Sequence, residues 1–307
     1  MDRNTALERV SEAAREALPV AERWLAELRR SADAGWSKLL GTDFEDRVAY
    51  LRERYASRGG DPFGLDADTA KVAALVCAVF HRAYFRTEVR GLEHVPPGRV
   101  LLVANHSGQL PIDAAIIGTS LFLDANPPRV MRAMVDRFTQ RLPFVSTFFS
   151  RVGQVVGVRE NARRLLEMDE VLLVFPEGVR GISKPITRRY QLEPFGLGFM
   201  RLALETDTPI VPVSVIGAEE QYISFGNLGW AARALRLPVL PLAPQLLIPG
   251  AQLPLPTKYR LEFGEPLRFD GDPDEDDQAI ENKVWVVRQT IQAMLKRGLE
   301  QRDGVFF

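Results

Sequence analysis

Apolar positions recur at steps of three and four along the first part of the chain. Leu7, Val10, Ala14, Leu18, Ala21, Leu25 and Leu28 alternate with acids and arginines, which predicts an amphipathic helix over residues 5–30. Pro19 inside that run predicts a kink or a division into two shorter helices. A second helix is expected over 44–58, ended by Gly59-Gly60 and Pro62. A third runs over 68–86, with Asp68 as its N-cap. Its middle, 72–80, is strongly apolar and suits either core burial or a membrane-facing surface.

From Gly98 the rhythm changes to short continuous apolar runs. Residues 100–104 read as a strand buried on both faces, followed by a loop over 105–111 and a helix from Asp113. Further strands are predicted at 129–135, 154–158, 171–175, 210–216 and 259–263, with helices at 161–168, 195–206 and 279–299. Strands alternating with helices indicate an α/β fold: a mostly parallel central sheet flanked by helices, preceded by an N-terminal helical region. Ligands of such sheets sit beyond the carboxyl ends of the strands. Asn105-His106 and Pro176-Glu177-Gly178 fall there.

Residues 228–256 break the pattern. They are apolar and rich in proline, with Arg233 and Arg236 as their only charges, so one long helix is excluded. An irregular apolar insertion is expected, either a lid on the core or a segment that dips into a membrane or covers an acyl chain. Residues 270–277 form an acidic, turn-rich linker, and no internal repeat is present.

Composition narrows the function classes. With 46% hydrophobic and 26% charged residues, the 307-residue chain has the balance of a folded globular protein. Its formal net charge of -1 supplies no basic field for nucleic acid. Cys77 is the single cysteine, so no internal disulfide framework exists, as suits a reducing compartment. The opening is charged, without the apolar core of a secretory signal, and no run reaches the roughly 18 apolar residues of a spanning helix. Membrane contact is therefore expected to be peripheral, from the cytoplasm.

Three histidines are present, His81, His94 and His106, without the spacing of a metal site. His81 lies within a predicted helix and His94 in a turn, positions that suit structural or solvated roles. His106 directly follows a buried strand, in a loop with Ser107, Gly108 and Pro111. There a rigid strand holds its backbone while the imidazole borders a cleft. A nearby carboxylate would make it a general base, and Asp113 is the nearest in sequence. Asp113 also suits the N-cap of the following helix. Cys77 sits in an apolar helix far from these loops, and Ser107 lacks the G-x-S-x-G elbow of a hydrolase nucleophile.

The window Asn105-His106-Ser107-Gly108-Gln109-Leu110-Pro111-Ile112-Asp113 resembles the first motif of the glycerolipid and lysophospholipid acyltransferase superfamily. Three further blocks follow in family order: Gly153 to Arg159, Phe175-Pro176-Glu177-Gly178-Val179-Arg180, and Ile210 to Val215. Residues 178–185, Arg189-Tyr190, Phe195-Gly196 and 217–220 are similar to the branch related to monoacylglycerol and diacylglycerol acyltransferases. The family's HX4D spacing would place the aspartate at 111, which is Pro111 here; Asp113 makes an HX6D arrangement.

The resemblance implies a glycerol-3-phosphate acyltransferase-like fold, with an N-terminal helical, membrane-associating region over 1–90 and an α/β domain over 91–307. It implies transfer of a fatty acyl group from acyl-CoA or acyl carrier protein to the hydroxyl of a lysophospholipid or a mono- or diacylglycerol. His106 would be the base and Asp113 its orienter, with no acyl-enzyme, no metal and no cofactor beyond the thioester. Glu177 and Arg180 would hold the acceptor's glycerol head group, and Arg159 would contact a phosphate or the donor; a tetrahedral intermediate also needs oxyanion donors, for which the backbone amides around Gly178 are candidates. Lys184, Arg188 and Arg189 would meet phosphates or anionic head groups, or form a solvated basic turn. A thioesterase or lipid hydrolase, and an inactive lipid-binding protein, are the alternatives.

Overall fold

The computed structural model describes residues 39–107, 110–135, 144–226, 228, 242–243, 245 and 252–307. The helix predicted over 5–30 and most of the apolar stretch 228–256 lie outside the described residues. Within them the chain builds one seven-stranded sheet with helices on both faces.

Helix α1 (Phe44–Ala56) and helix α2 (Ala67–Ala78) come first. The N-cap of α2 is Asp66 rather than Asp68. Extended backbone at Asp66 lets its carboxylate accept from the Thr69 N–H, whereas Asp68 lies inside the first turn and pairs with Arg52. Helix α2 continues into a π-helical turn, Val79–Tyr84. The apolar stretch 72–80 is mostly half-buried against α1 and the helix after the second strand.

The strands are β1 (Glu88–Arg90), β2 (Val100–Ala104), β3 (Met131–Val135), β4 (Val155–Val156), β5 (Val171–Val174), β6 (Ile210–Ile216) and β7 (Arg260–Phe263). Their order across the sheet is β1-β7-β6-β2-β5-β3-β4. All neighbours are parallel except β6 and β7. β1 has only three residues and carries no apolar run, so periodicity did not predict it. Between the strands lie α3 (Ile112–Leu123), α4 (Val145–Arg151), α5 (Arg159–Glu167), α6 (Val179–Ile182) and α7 (Gly198–Glu205), and α8 (Asp277–Glu300) closes the chain.

Alternation along β2 explains its continuous hydrophobicity. Leu101 and Val103 face one core, with α5, α7 and α8, and Val100, Leu102 and Ala104 face the other, with α3. All five are fully buried. Burying a leucine in this way contributes roughly 1.5–3 kcal/mol. β2 lies between β6 and β5, so its carboxyl end opens at the middle of the sheet edge. Among the described residues, no helix is long and apolar enough to cross a membrane.

Candidate active site

The site grows from the carboxyl ends of β2, β5 and β6. Asn105, the first residue beyond β2, is fully buried, and its side-chain amide acts as one more rung of the ladder. Its Nδ2 donates to Val215 O at 3.0 Å, and its Oδ1 accepts from Val215 N at 2.8 Å. The chain is thus clamped to β6 at the point where it leaves the sheet, one residue before His106. The sequence placed Asn105 at the strand end without a role of its own, although an asparagine ending an apolar run is itself a signal of a side chain that replaces backbone pairing.

His106 Nδ1 lies 2.8 Å from Asp113 Oδ2. The same oxygen accepts the Ser107 N–H at 3.0 Å, and Oδ1 accepts the Ala114 N–H at 2.8 Å. With both oxygens serving as acceptors, the imidazole presents Nδ1–H to Asp113 and leaves the lone pair on Nε2. The ring stacks on Phe175 at 4.0 Å between centroids, and its side chain keeps 17% exposure while Asp113 has none. Asp113 is the second residue of α3 and does not cap it. The pair forms despite its longer spacing, with Asp113 in the first turn of α3, which starts at Ile112.

Glu177 holds the other side of His106. Its Oε1 accepts the His106 backbone N–H at 3.0 Å, and its Oε2 accepts the Glu193 N–H at 2.8 Å. It is 2% exposed, so its carboxylate serves the protein's own backbone. Gly178 has φ +56°, a conformation that suits glycine in the sharp turn after β5. Its N–H donates to Phe175 O at 3.0 Å, so that amide is occupied and is not the expected oxyanion donor. Gly181 brings α6 directly onto the histidine: a Cβ there would stand 3.1 Å from the His106 Cβ and 3.0 Å from the Glu177 Cβ.

The basic residues divide. Lys184 is buried rather than part of a solvated turn or an open phosphate site. Its Nζ lies 3.2 Å from Glu177 Oε2 and 3.0 Å from Glu219 Oε1. Burial pushes the Glu219 carboxyl up to about 7 in spite of the Lys184 ammonium beside it. Arg180 is exposed and donates to Pro194 O, Arg188 pairs with Glu193, and Arg189 approaches Glu220 at 3.5 Å. Arg159 leads α5 and pairs with Glu205 of α7 at 2.8 Å, apart from the histidine cluster.

Beside His106 is a shallow recess lined by Ser107, Gly181, Lys184, Arg189, Tyr222 and Ser224. The other histidines are structural. His81 is fully buried with Nε2 2.8 Å from Ser120 Oγ, and burial lowers its pKa to about 3. His94 Nδ1 lies 2.8 Å from Phe263 O. Burial also pushes the Cys77 thiol up, away from nucleophilic use.

Comparison with known proteins adds an independent line. Residues 86–216 match the family model described as Acyltransferase. An uncharacterized protein of Mycobacterium tuberculosis is 34% identical over 310 residues, covering 96% of this chain and 87% of the relative. A mouse protein titled a DGAT1/2-independent enzyme synthesizing storage lipids is 26% identical over 186 residues, 60% of this chain and 53% of that protein. Among solved structures, the 1-acyl-sn-glycerophosphate (LPA) acyltransferase PlsC from Thermotoga maritima aligns with TM-score 0.48 at 18% identity, over 88% of this chain and 96% of that one.

Proposed function

This chain belongs to the acyltransferase family, and we propose that it moves a fatty acyl group from acyl-CoA or acyl carrier protein to the hydroxyl of a glycerolipid, either a lysophospholipid or a mono- or diacylglycerol. The observation that carries the reading is the buried Asp113 carboxylate 2.8 Å from His106 Nδ1 at the carboxyl end of β2.

In this reading His106 Nε2 takes the proton of the acceptor hydroxyl as its oxygen attacks the thioester carbonyl. Asp113 stabilises the imidazolium that forms. The tetrahedral intermediate then expels the thiolate, the carbon–sulfur bond breaks, and the imidazolium returns its proton to the departing sulfur. No acyl-enzyme is required. Ser107 donates its backbone N–H to Asp113, and among the described residues its hydroxyl has no hydrogen-bond partner, so it supports the pair rather than attacking. Arg180 and Arg189, exposed beside the reactive loop, suit the polar end of the acceptor or a phosphate.

A lipid surface suits the same end of the sheet. Leu110, Val179 and Phe225 lie beyond the carboxyl ends of β2, β5 and β6, in the connections that leave the sheet there, and each is 43% or more exposed. Parallel neighbours place those loops along one edge, so the protein is expected to bind a membrane peripherally there. The test is transfer from labelled palmitoyl-CoA to lysophosphatidic acid, other lysophospholipids, monoacylglycerol and diacylglycerol, with His106→Ala as control. Labelled lipid from the wild type alone is expected. Free fatty acid as the sole labelled product would replace the transferase with a hydrolase.

A further inference from the structure

Resting on the reading of His106 as the base, we propose that Lys184 is a positioning residue: it sits between Glu177 and Glu219 and so fixes the backbone of His106 for proton transfer. The sheet order makes this possible. β2 carries His106 and lies between β5, which leads into Glu177, and β6, which leads into Glu219. The chain of contacts Glu177–Lys184–Glu219 therefore spans from β5 to β6 across the end of the strand that presents the histidine.

Each link has a partner at both ends. Glu177 Oε1 accepts the His106 N–H, and Oε2 accepts the Glu193 N–H and faces the Lys184 ammonium. The Lys184 ammonium donates to Glu219 Oε1 at 3.0 Å and to Gln191 O at 3.3 Å, and lies 3.2 Å from Glu177 Oε2 as an ion pair. Glu219 Oε2 accepts the Tyr190 N–H at 2.9 Å, and the Tyr190 hydroxyl accepts the Gly217 N–H at 2.9 Å. These bonds pin the segment after α6 to the end of β6.

A buried carboxylate without a cation swells its site with water or takes up a proton, and either change weakens its hold on a backbone N–H. Lys184 removes both escapes for Glu177. An ammonium suits the place because three short directions converge on one point charge, which a planar guanidinium does not match. On the other flank, Asn105 ties the preceding residue to Val215 of β6. His106 is thus fixed from β6 through Asn105 and from β5 through Glu177, while Asp113 fixes its ring.

The test measures kcat and KM for both substrates, with thermal midpoints, in wild type, His106→Ala, Lys184→Met, Lys184→Arg, Glu219→Gln and the double variant Lys184→Met/Glu219→Gln. Lys184→Met is expected to lower kcat by about 10- to 100-fold, with KM changed by less than about threefold. In the double variant the loss of the Glu219 charge is expected to add less than about twofold to the loss from Lys184→Met, a non-additive result, because both residues act on His106 through one cluster. Should Lys184→Met fail to fold, Lys184→Arg keeps the charge and is expected to fold with kcat lowered about tenfold at unchanged KM.

Three outcomes overturn the proposal. One is kcat within about twofold of wild type in both lysine variants. A second is a raised KM at constant kcat, which would put Lys184 on the substrate. The third is losses that simply multiply in the double variant. Activity that survives His106→Ala would sink the base assignment itself, whatever the lysine variants do.

Discussion

Two buried cations, each set between two carboxylates, occupy opposite ends of the same sheet. At the carboxyl end, Lys184 lies between Glu177 and Glu219. At the amino end, Arg132 of β3 lies fully buried between Asp61 and Glu170, its guanidinium 5.6 Å from the centre of the Tyr55 ring. The Tyr55 hydroxyl donates to Glu170, and Arg132 also donates to Gly153 O. The amino-end cluster docks α1 and the loop after it onto β3, β4 and β5. The carboxyl-end cluster touches the backbone of the candidate base. Similar charge arithmetic therefore serves different ends, and what separates them is the backbone each carboxylate holds. The side chains match this division: a planar fork ties several fixed partners in a static joint, while a compact ammonium draws three mainchain and carboxylate oxygens to one point.

The largest effect should come from the residue that the carboxyl end exists to present. His106→Ala is expected to reduce kcat by about 10²- to 10⁴-fold with the thermal midpoint close to wild type. Asp113→Asn should also lower kcat, because it favours the wrong tautomer. A midpoint that collapses in either variant would mean that the pair serves folding and not chemistry.

Arg132→Met should do the reverse. It leaves the buried Asp61 carboxylate without its cation, while Glu170 keeps Arg58 and Arg54, and is expected to cost about 3–5 kcal/mol of stability with kcat per folded molecule near wild type. Denaturant unfolding together with active-site-normalised kinetics checks this. A fall in kcat with stability intact would erase the distinction between the two clusters.

The third prediction concerns pH. Glu219 has its carboxyl raised from 4.5 to about 7, so the folded chain holds a proton that the unfolded chain has released. The stability this contributes is fully present below about pH 4.5 and is lost as pH rises through about 7, by on the order of 3 kcal/mol. Glu219→Gln should flatten that part of the curve. An unchanged slope between pH 5 and 7.5, measured by urea unfolding at closely spaced pH values of about half a unit, would leave the effect to another group.

The smallest effect tests the helical layer on the amino-end cluster. Asp66→Ala removes the cap of α2 and should cost about 1 kcal/mol, whereas Asp68→Ala should cost about 0.5 kcal/mol or less. Equal losses would break the assignment of the cap.

Much of the fold was legible because its signals are local. The run 100–104 and the run 210–216 coincide with β2 and β6 because strands covered on both faces need apolar side chains at every position. β1 and the two-residue β4 were hidden or overextended because a strand so short carries too few positions for a period. The cap of α2 was placed two residues late because Asp66 and Asp68 are chemically alike, and only the backbone angle at Asp66 separates them.

What the sequence alone determined about this protein is the α/β alternation and the position of the reactive loops. His106 and Glu177 stood out there because each follows a buried strand, Asp113 because it is the carboxylate nearest to His106 in sequence, and the resemblance to the acyltransferase motifs marked all three. What only the tertiary structure decided is the part each polar side chain takes. It set Lys184 inside the protein, turned Glu177 toward the His106 N–H and occupied the Gly178 amide. It also joined Glu219 to a site 42 residues from Glu177 in the chain, through the placement of β5 and β6 on either side of β2. The reason is physical. Burial and pairing of a charge depend on strands brought together from distant parts of the chain, whereas hydrophobic periodicity depends only on near neighbours.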